Sequence, residues 1–169
     1  FLEIYNEEVF DLLASDTNTN IKNPKFKKKV FVKEKDKKFF VQEPTYVEIN
    51  SQEDFKNALE KGVLKKVQSS NNINTNSSRS HTIFKIIIKK NLQEEDELTL
   101  TIVDLAGSER ANRTEAQGKE LQEACKINAS LSVLGKCMEA LRNNSIYVNK
   151  KIVPFRESKL TMIFQEYFN

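Results

Sequence analysis

The spacing of apolar and polar positions along the chain changes several times, and each change marks an element. Residues 98–104 alternate, with Leu98, Leu100 and Ile102 set against Thr99, Thr101 and Val103, and the run ends on Asp104. That period of two predicts a strand. Residues 82–88 are β-branched and apolar and predict a second strand, with only the acidic stretch 91–97 between the two. So short a link predicts antiparallel pairing. Residues 1–6 read as a buried strand, and residues 7–14 as a short helical turn closing on Leu12 and Leu13. Two β-prone runs, 29–33 and 39–42, flank Glu34-Lys35-Asp36-Lys37-Lys38 and predict a hairpin with a charged tip.

Helical spacing appears in three places. Phe55, Ala58, Leu59 and Val63 recur on one face, behind Ser51 as N-cap and the acids Glu53 and Asp54, predicting a helix to about Lys66. From residue 120 to about 142 a long helix is predicted, with Leu121, Ala124, Cys125, Asn128, Leu131, Leu134, Met138 and Leu141 on one side. Gly135 inside it costs ~1 kcal/mol relative to alanine, which points to close packing or function rather than a helix end. A last helix is predicted over 157–168, after Pro154. The polar stretches 15–24, 68–80, 111–119 and 143–151 read as loops.

Composition narrows the class. A chain of 169 residues suits one domain, since a domain of about 150 residues buries roughly 70% of its unfolded surface. Hydrophobic content of 38% and charged content of 30% read as soluble and globular. No apolar run approaches the ~20 residues of a membrane span, and no signal peptide is visible, so neither a membrane partner nor secretion is expected. Net charge is only +3, yet eight lysines fall between Lys25 and Lys38. They are either a solvated edge that resists strand pairing or a patch for an acidic partner. Cys125 and Cys137 have no metal-type spacing and read as packed thiols of a reduced, cytosolic compartment. Phe1 starts inside a strand and Asn169 follows an uncapped helix, so the chain is expected to be part of a longer one.

The candidate chemistry lies at the end of the 98–104 strand. Asp104-Leu105-Ala106-Gly107 places a carboxylate at a strand terminus and a glycine three residues on. In nucleotide hydrolases such a carboxylate holds Mg²⁺ through water while the glycine N–H meets the γ-phosphate; the same spacing also occurs in ordinary turns. Ahead of the 82–88 strand, Asn74-Thr75-Asn76-Ser77-Ser78-Arg79-Ser80-His81 offers hydroxyls, backbone donors and one guanidinium. It is either a polar surface turn or a loop that folds over a phosphate. His81, the only histidine, reads as a structural hydrogen-bonding residue at a strand start.

Taken together, NTNSSRSH, DLAGSER, INASLSVLG and VPFRESKLT stand in the order and spacing of a kinesin motor domain, which the chain resembles throughout, more loosely over residues 15–50. FLEIYNEEVFDLL resembles the family strand after its second major helix, and INASLSVLGKCMEAL with VPFRESKLT resembles the mitotic, cytokinesis-associated kinesin-6 group. The resemblance implies an α/β fold, part of a kinesin-type P-loop NTPase with a central mixed sheet flanked by helices. It implies ATP and Mg²⁺ as ligands, Ser77 and Ser78 closing over γ-phosphate and metal, and Ser77 and Asp104 serving the Mg²⁺ shell. Gly107 corresponds to the family's phosphate-sensing glycine, and Arg79 with Glu109 to the ion pair that latches the switches around the attacking water. Residues 119–142 resemble the relay helix. Lys126, Asn128, Arg156 and Lys159 would face the microtubule, flanked by the lysine hairpin with Lys37 and Lys38. A cytoskeletal, microtubule and spindle location follows, with no role for nucleic acid and room for dimerisation through a stalk outside this chain.

The sequence also departs from the family. Ala129 stands where many kinesins carry lysine, Met162 where many carry arginine, and Lys66 replaces an arginine before the first switch. No G-x-x-x-x-G-K-[ST] phosphate loop occurs within the 169 residues. The chain is therefore expected to be the C-terminal half of a motor domain, with little turnover and poor solubility in isolation. Two readings stay open: part of a microtubule-stimulated ATPase, or a microtubule-gripping relative that does not hydrolyse nucleotide. A GTPase of another P-loop type fits D-x-x-G but not SSRSH or the long helix.

Overall fold

The computed structural model describes residues 1–15, 27–68, 79–89, 97–108 and 119–168. Their main sheet has five strands in the order β3 (Lys28–Val30), β2 (Glu8–Asp11), β1 (Leu2–Tyr5), β6 (His81–Lys89), β7 (Glu97–Asp104), antiparallel at each pairing. The long pair β6–β7 runs in unbroken register from Lys89↔Glu97 to Thr82↔Asp104, as the short link predicts. A separate two-stranded sheet joins β4 (Val32–Lys35) to β5 (Lys38–Val41).

The turn expected at residues 7–14 is a strand instead. Asn6 and Glu7 both take positive φ (57° and 62°), the two-residue turn whose twist suits a hairpin, so β2 folds straight back on β1. Val9 then alternates inward, which a helical turn would not permit. The lysine hairpin forms with a tighter tip than expected: Asp36 and Lys37 take positive φ (52° and 63°). Its first run is divided at Phe31, so that β3 extends the main sheet and β4 starts the hairpin.

Among the described residues, three α-helices pack on this frame. The first, α1 (Gln52–Gln68), starts as predicted: Ser51 Oγ accepts from the Asp54 N–H at 3.1 Å, and the Asp54 carboxylate accepts from the Asn50 N–H at 3.1 Å. The second, α2 (Lys119–Ile146), runs four residues past the predicted end. Its buried positions are Ile127, Ser130, Val133 and Cys137, so the buried stripe is rotated from the expected one and leaves Met138 and Cys125 exposed. Cys125 is therefore not a packed thiol, whereas Cys137 is. The predicted last helix breaks into two 3-10 turns, Phe155–Glu157 and Gln165–Tyr167, around the short α3 (Lys159–Phe164). Ser158 caps α3 by accepting from the Thr161 N–H at 3.1 Å.

Strand pleat decides which helix meets which residue. Ile4, Val9, Val30 and Ile83 cluster with Leu160 and Ile163 of α3, and Leu131 and Leu134 of α2 pack against them. Phe84, one residue on from Ile83, points the other way and meets Phe55 of α1 and Phe1 edge-on, at 5.8 and 4.9 Å. Thus α1 lies on one face of the sheet, and α2 with α3 on the other. Beyond α1, Leu98, Leu100 and Ile102 of β7 are exposed. No helix among the described residues is long and apolar enough to cross a membrane.

Two helical glycines make a clean contrast. A Cβ at Gly62 would fall 2.1 Å from Phe1 Cδ1, whereas one at Gly135 would meet nothing within 4 Å, so close packing does not explain Gly135 among the described residues. Gly62→Ala is expected to lose about 1 kcal/mol, as an overpacking cost of ~1–3 kcal/mol outweighs a helix-propensity gain of ~1 kcal/mol. Gly135→Ala is expected to gain up to about 1 kcal/mol, both read by chemical denaturation.

Candidate nucleotide-sensing and track-facing site

Asp104 ends β7 opposite Thr82 of β6, so both side chains point to the α1 face. The Asp104 carboxylate is 73% exposed and lies 3.7 Å from Lys66 Nζ of α1. The same ammonium donates to Thr82 Oγ1 at 2.6 Å. The exposure of this carboxylate leaves room for a metal ion held through water, which would share it with the Lys66 ammonium. Two residues later the chain has crossed to the other face: the buried Ala106 N–H donates to His81 Nδ1 at 3.1 Å. Gly107 follows, and an added Cβ there would meet no atom of the described residues within 4 Å, so these residues leave the space beside its backbone to a ligand. The described residues of the D-x-x-G segment thus fit Mg²⁺ and a phosphate.

The α2 face of β6 carries a hydrogen-bonded chain. His81 is 3% exposed, and because its Nδ1 accepts from Ala106, the ring proton sits on Nε2 and points to Ser130 Oγ of α2 at 2.9 Å. Ser130 in turn donates to the Ile127 carbonyl at 2.8 Å. Burial pushes the His81 imidazole below its ordinary pKa; the Asp104 charge opposes that shift and the Lys66 charge adds to it. The histidine is structural, as expected, but its bonds reach further than a strand start.

Arg79 pairs with Glu123 of α2 at 3.2 Å, and the Tyr5 hydroxyl also donates to Glu123. Burial and the Glu123 carboxylate push the Tyr5 pKa up to about 12. Ser77, Ser78 and Glu109 lie outside the described residues, so the expected Arg79–Glu109 pairing does too. Glu123 and Tyr5 were not singled out from sequence. The spacing of seven between Glu123 and Ser130, two helical turns on one face of α2, is a signal for Glu123, whereas nothing in the sequence marks Tyr5.

The expected track-facing residues fall into two groups. Arg156, in the first 3-10 turn, pairs with Glu34 of the hairpin at 2.6 Å. Gln165 holds the hairpin at two points: its Oε1 accepts from the Phe39 N–H at 3.2 Å and its Nε2 donates to the Lys37 carbonyl at 3.1 Å. Phe39 packs with Val133, Cys137 and Phe155, so Lys37 and Lys38 are exposed on a hairpin fastened to α2 and α3. Lys159 is half-buried, and its N–H donates to Glu7 at 2.8 Å. Lys126 is exposed on α2 and Asn128 half-buried there, within about one helical turn of Ser130. Gln165 is the residue sequence reasoning missed in this group.

Comparison with known proteins gives the same answer over the whole length. Residues 1–169 match the model of the kinesin motor domain. The chain is 39% identical over 181 residues to the kinesin-like protein KIF23 of Mus musculus, with all of this chain and 19% of that protein aligned. It is 38% identical over 167 residues to the kinesin-like protein subito of Drosophila melanogaster, covering 98% of this chain and 27% of that one. A solved structure of kinesin 6 superposes with a TM-score of 0.75 at 31% identity, over 99% of this chain and 45% of that one. A KIF14 dimer in its two-heads-bound state, with AMP-PNP in complex with a microtubule, superposes with a TM-score of 0.76 at 29% identity, over 98% and 46% of the two chains. The chain thus spans under a third of these two relatives and under half of these two solved chains. The expected α/β fold and the kinesin-6 likeness are both borne out. From its first residue to its last, the chain belongs to the kinesin motor-domain family.

Proposed function

We propose that residues 1–169 are the switch-bearing and track-facing half of a motor that couples ATP hydrolysis to movement on microtubules. The observation that carries this reading is the crossing at the end of β7, where Asp104 faces α1 and Ala106 is fastened through His81 to α2. In this reading Asp104 and Ser77 serve the Mg²⁺ shell, and Ser77 and Ser78 lie over the γ-phosphate. The Gly107 N–H meets that phosphate, and Arg79 with Glu109 orients the attacking water. When bound, Mg²⁺ bridges phosphate oxygens and offsets their charge. Lys66 stands beside Asp104 as a second positive charge at the same carboxylate. The remaining phosphate contacts belong to the part of the motor domain that this chain does not span.

Arg156, Lys159, Lys37, Lys38, Lys126 and Asn128 form the proposed microtubule face. Kinesin relatives solved on microtubules support it, and so does the hairpin, which Arg156 and Gln165 hold in place rather than leave free. A fixed positive surface steers encounter with an acidic partner and is weakened by salt. The site of action is the microtubule cytoskeleton, with the spindle as its setting and a stalk outside this chain as the route to a dimer.

Gly107→Ala is the direct test of the sensor, since the methyl group meets nothing among the described residues but occupies the space assigned to phosphate. In the intact protein, microtubule-stimulated turnover is expected to fall about a hundredfold or more with the melting temperature unchanged. Normal turnover in that variant would sink the mechanism, and an intact wild-type protein that binds microtubules without hydrolysing ATP would replace it with the passive binder. For the track face, co-sedimentation of the double variant Lys37→Glu, Lys38→Glu is expected to show about tenfold weaker binding with a shallower salt dependence. Wild-type binding that ignores salt would remove the hairpin from the interface.

A further inference from the structure

We infer that His81 is a positioning residue that couples the D-x-x-G loop to α2, so that a shift of the helix and a shift of the Gly107 amide are one event. The inference rests on the motor reading for its functional consequence, while the coupling itself stands on geometry.

Three hydrogen bonds run in one direction. Ala106 N–H donates to His81 Nδ1 at 3.1 Å, His81 Nε2–H donates to Ser130 Oγ at 2.9 Å, and Ser130 O–H donates to the Ile127 carbonyl at 2.8 Å. The polarity is forced from its first member, because a peptide N–H can only donate. A proton on Nδ1 would set two donors against each other. Ala106, His81 and Ser130 are 4%, 3% and 2% exposed, so bulk water does not replace a bond that breaks. A buried polar group left unmatched is costly, so the three members move together or not at all.

Each end of the chain is placed where movement has consequences. At one end, the fastened Ala106 amide immediately precedes the Gly107 amide assigned to the phosphate. Planar peptide units joined at one α-carbon leave few ways to move the second while the first is held. At the other end, Ser130 lies on α2 four residues beyond Lys126 and two beyond Asn128, the helix positions assigned to the track. Seven residues before Ser130, Glu123 takes Arg79, giving α2 a second hold on the start of β6, two turns away. The Arg79–Glu123 pair is partly exposed and tolerates adjustment; the His81 chain has one acceptor and one donor at fixed positions on a flat ring.

Three variants of the full-length protein separate the two ends. In His81→Asn the side-chain amide reaches the Nδ1 position and keeps Ala106 but loses Ser130. In His81→Gln it reaches the Nε2 position and keeps Ser130 but loses Ala106. Ser130→Ala removes the helix end alone. Hydrogen exchange at the Ala106 amide is expected to be slow in the wild type, about tenfold faster in His81→Gln, and severalfold faster in Ser130→Ala, where the change is made on the helix and read on the loop. Microtubule-stimulated kcat is expected to fall about tenfold in all three, with KM for ATP within about twofold of wild type and no additivity between His81→Asn and Ser130→Ala. Unchanged Ala106 exchange in Ser130→Ala overturns the coupling whatever the activities. Unchanged stimulated kcat in all three, beside a stimulated wild type, overturns its role in the motor. A wild type without stimulation overturns the motor reading instead, and the exchange result alone then decides the coupling.

Discussion

The structure depends on the pleat of β6 at two adjacent residues. Thr82 points to α1 and His81 to α2, because neighbouring residues of a strand face opposite sides of the sheet. The segment after β7 uses both faces in turn: Asp104, opposite Thr82, stays on the α1 side with Lys66, while Ala106 reaches His81 on the α2 side. A shift of register by one residue would exchange the two faces and separate the carboxylate from its cation. The eight paired positions of β6 and β7 resist such a shift, with Ile83 and Val103 packed on the α2 side and Phe84 on the α1 side.

From this point two routes lead away. One runs through α1, whose Lys66 is bonded to Thr82 and paired with Asp104, and whose Phe55 meets Phe84. The other runs through α2, held by Ser130 and Glu123 near its start and packed further on against Phe155 and the hairpin through Val133 and Cys137. A 28-residue helix is stiff enough to carry a displacement from one set of contacts to the other. In the motor reading, that is how a phosphate at Gly107 is felt at the microtubule face.

Much of this is written in local sequence. The β-branched run 82–88, the alternation 98–104 and the Ser51 cap each specify one element, and each forms where expected. Residues 1–6 form the expected strand, but residues 7–14 differ from expectation because the decisive feature is backbone conformation: Asn6-Glu7 turns with positive φ, which asparagine tolerates better than most residues but which a Glu-Glu pair does not announce. The buried stripe of α2 was misplaced for another reason. Ser130 is buried as a hydrogen-bonding group, so a count of apolar residues passes over it and draws in Cys125 and Met138, which are exposed. The motif residues Asp104, Gly107 and Arg79 stand out as candidates in the sequence because their chemistry is tied to short spacings. The partners Lys66 of Asp104, Glu123 of Arg79 and Ser130 of His81 come from distant elements, and only the fold brings them together.

The central claim is that phosphate sensing and track binding are joined in this half of the motor. It is tested most directly by the microtubule dissociation constant of the intact protein, measured with a non-hydrolysable ATP analogue and again with ADP. The account predicts that the two constants differ by about fivefold or more, a coupling of about 1 kcal/mol between the sites. Equal constants in the two nucleotide states would contradict it.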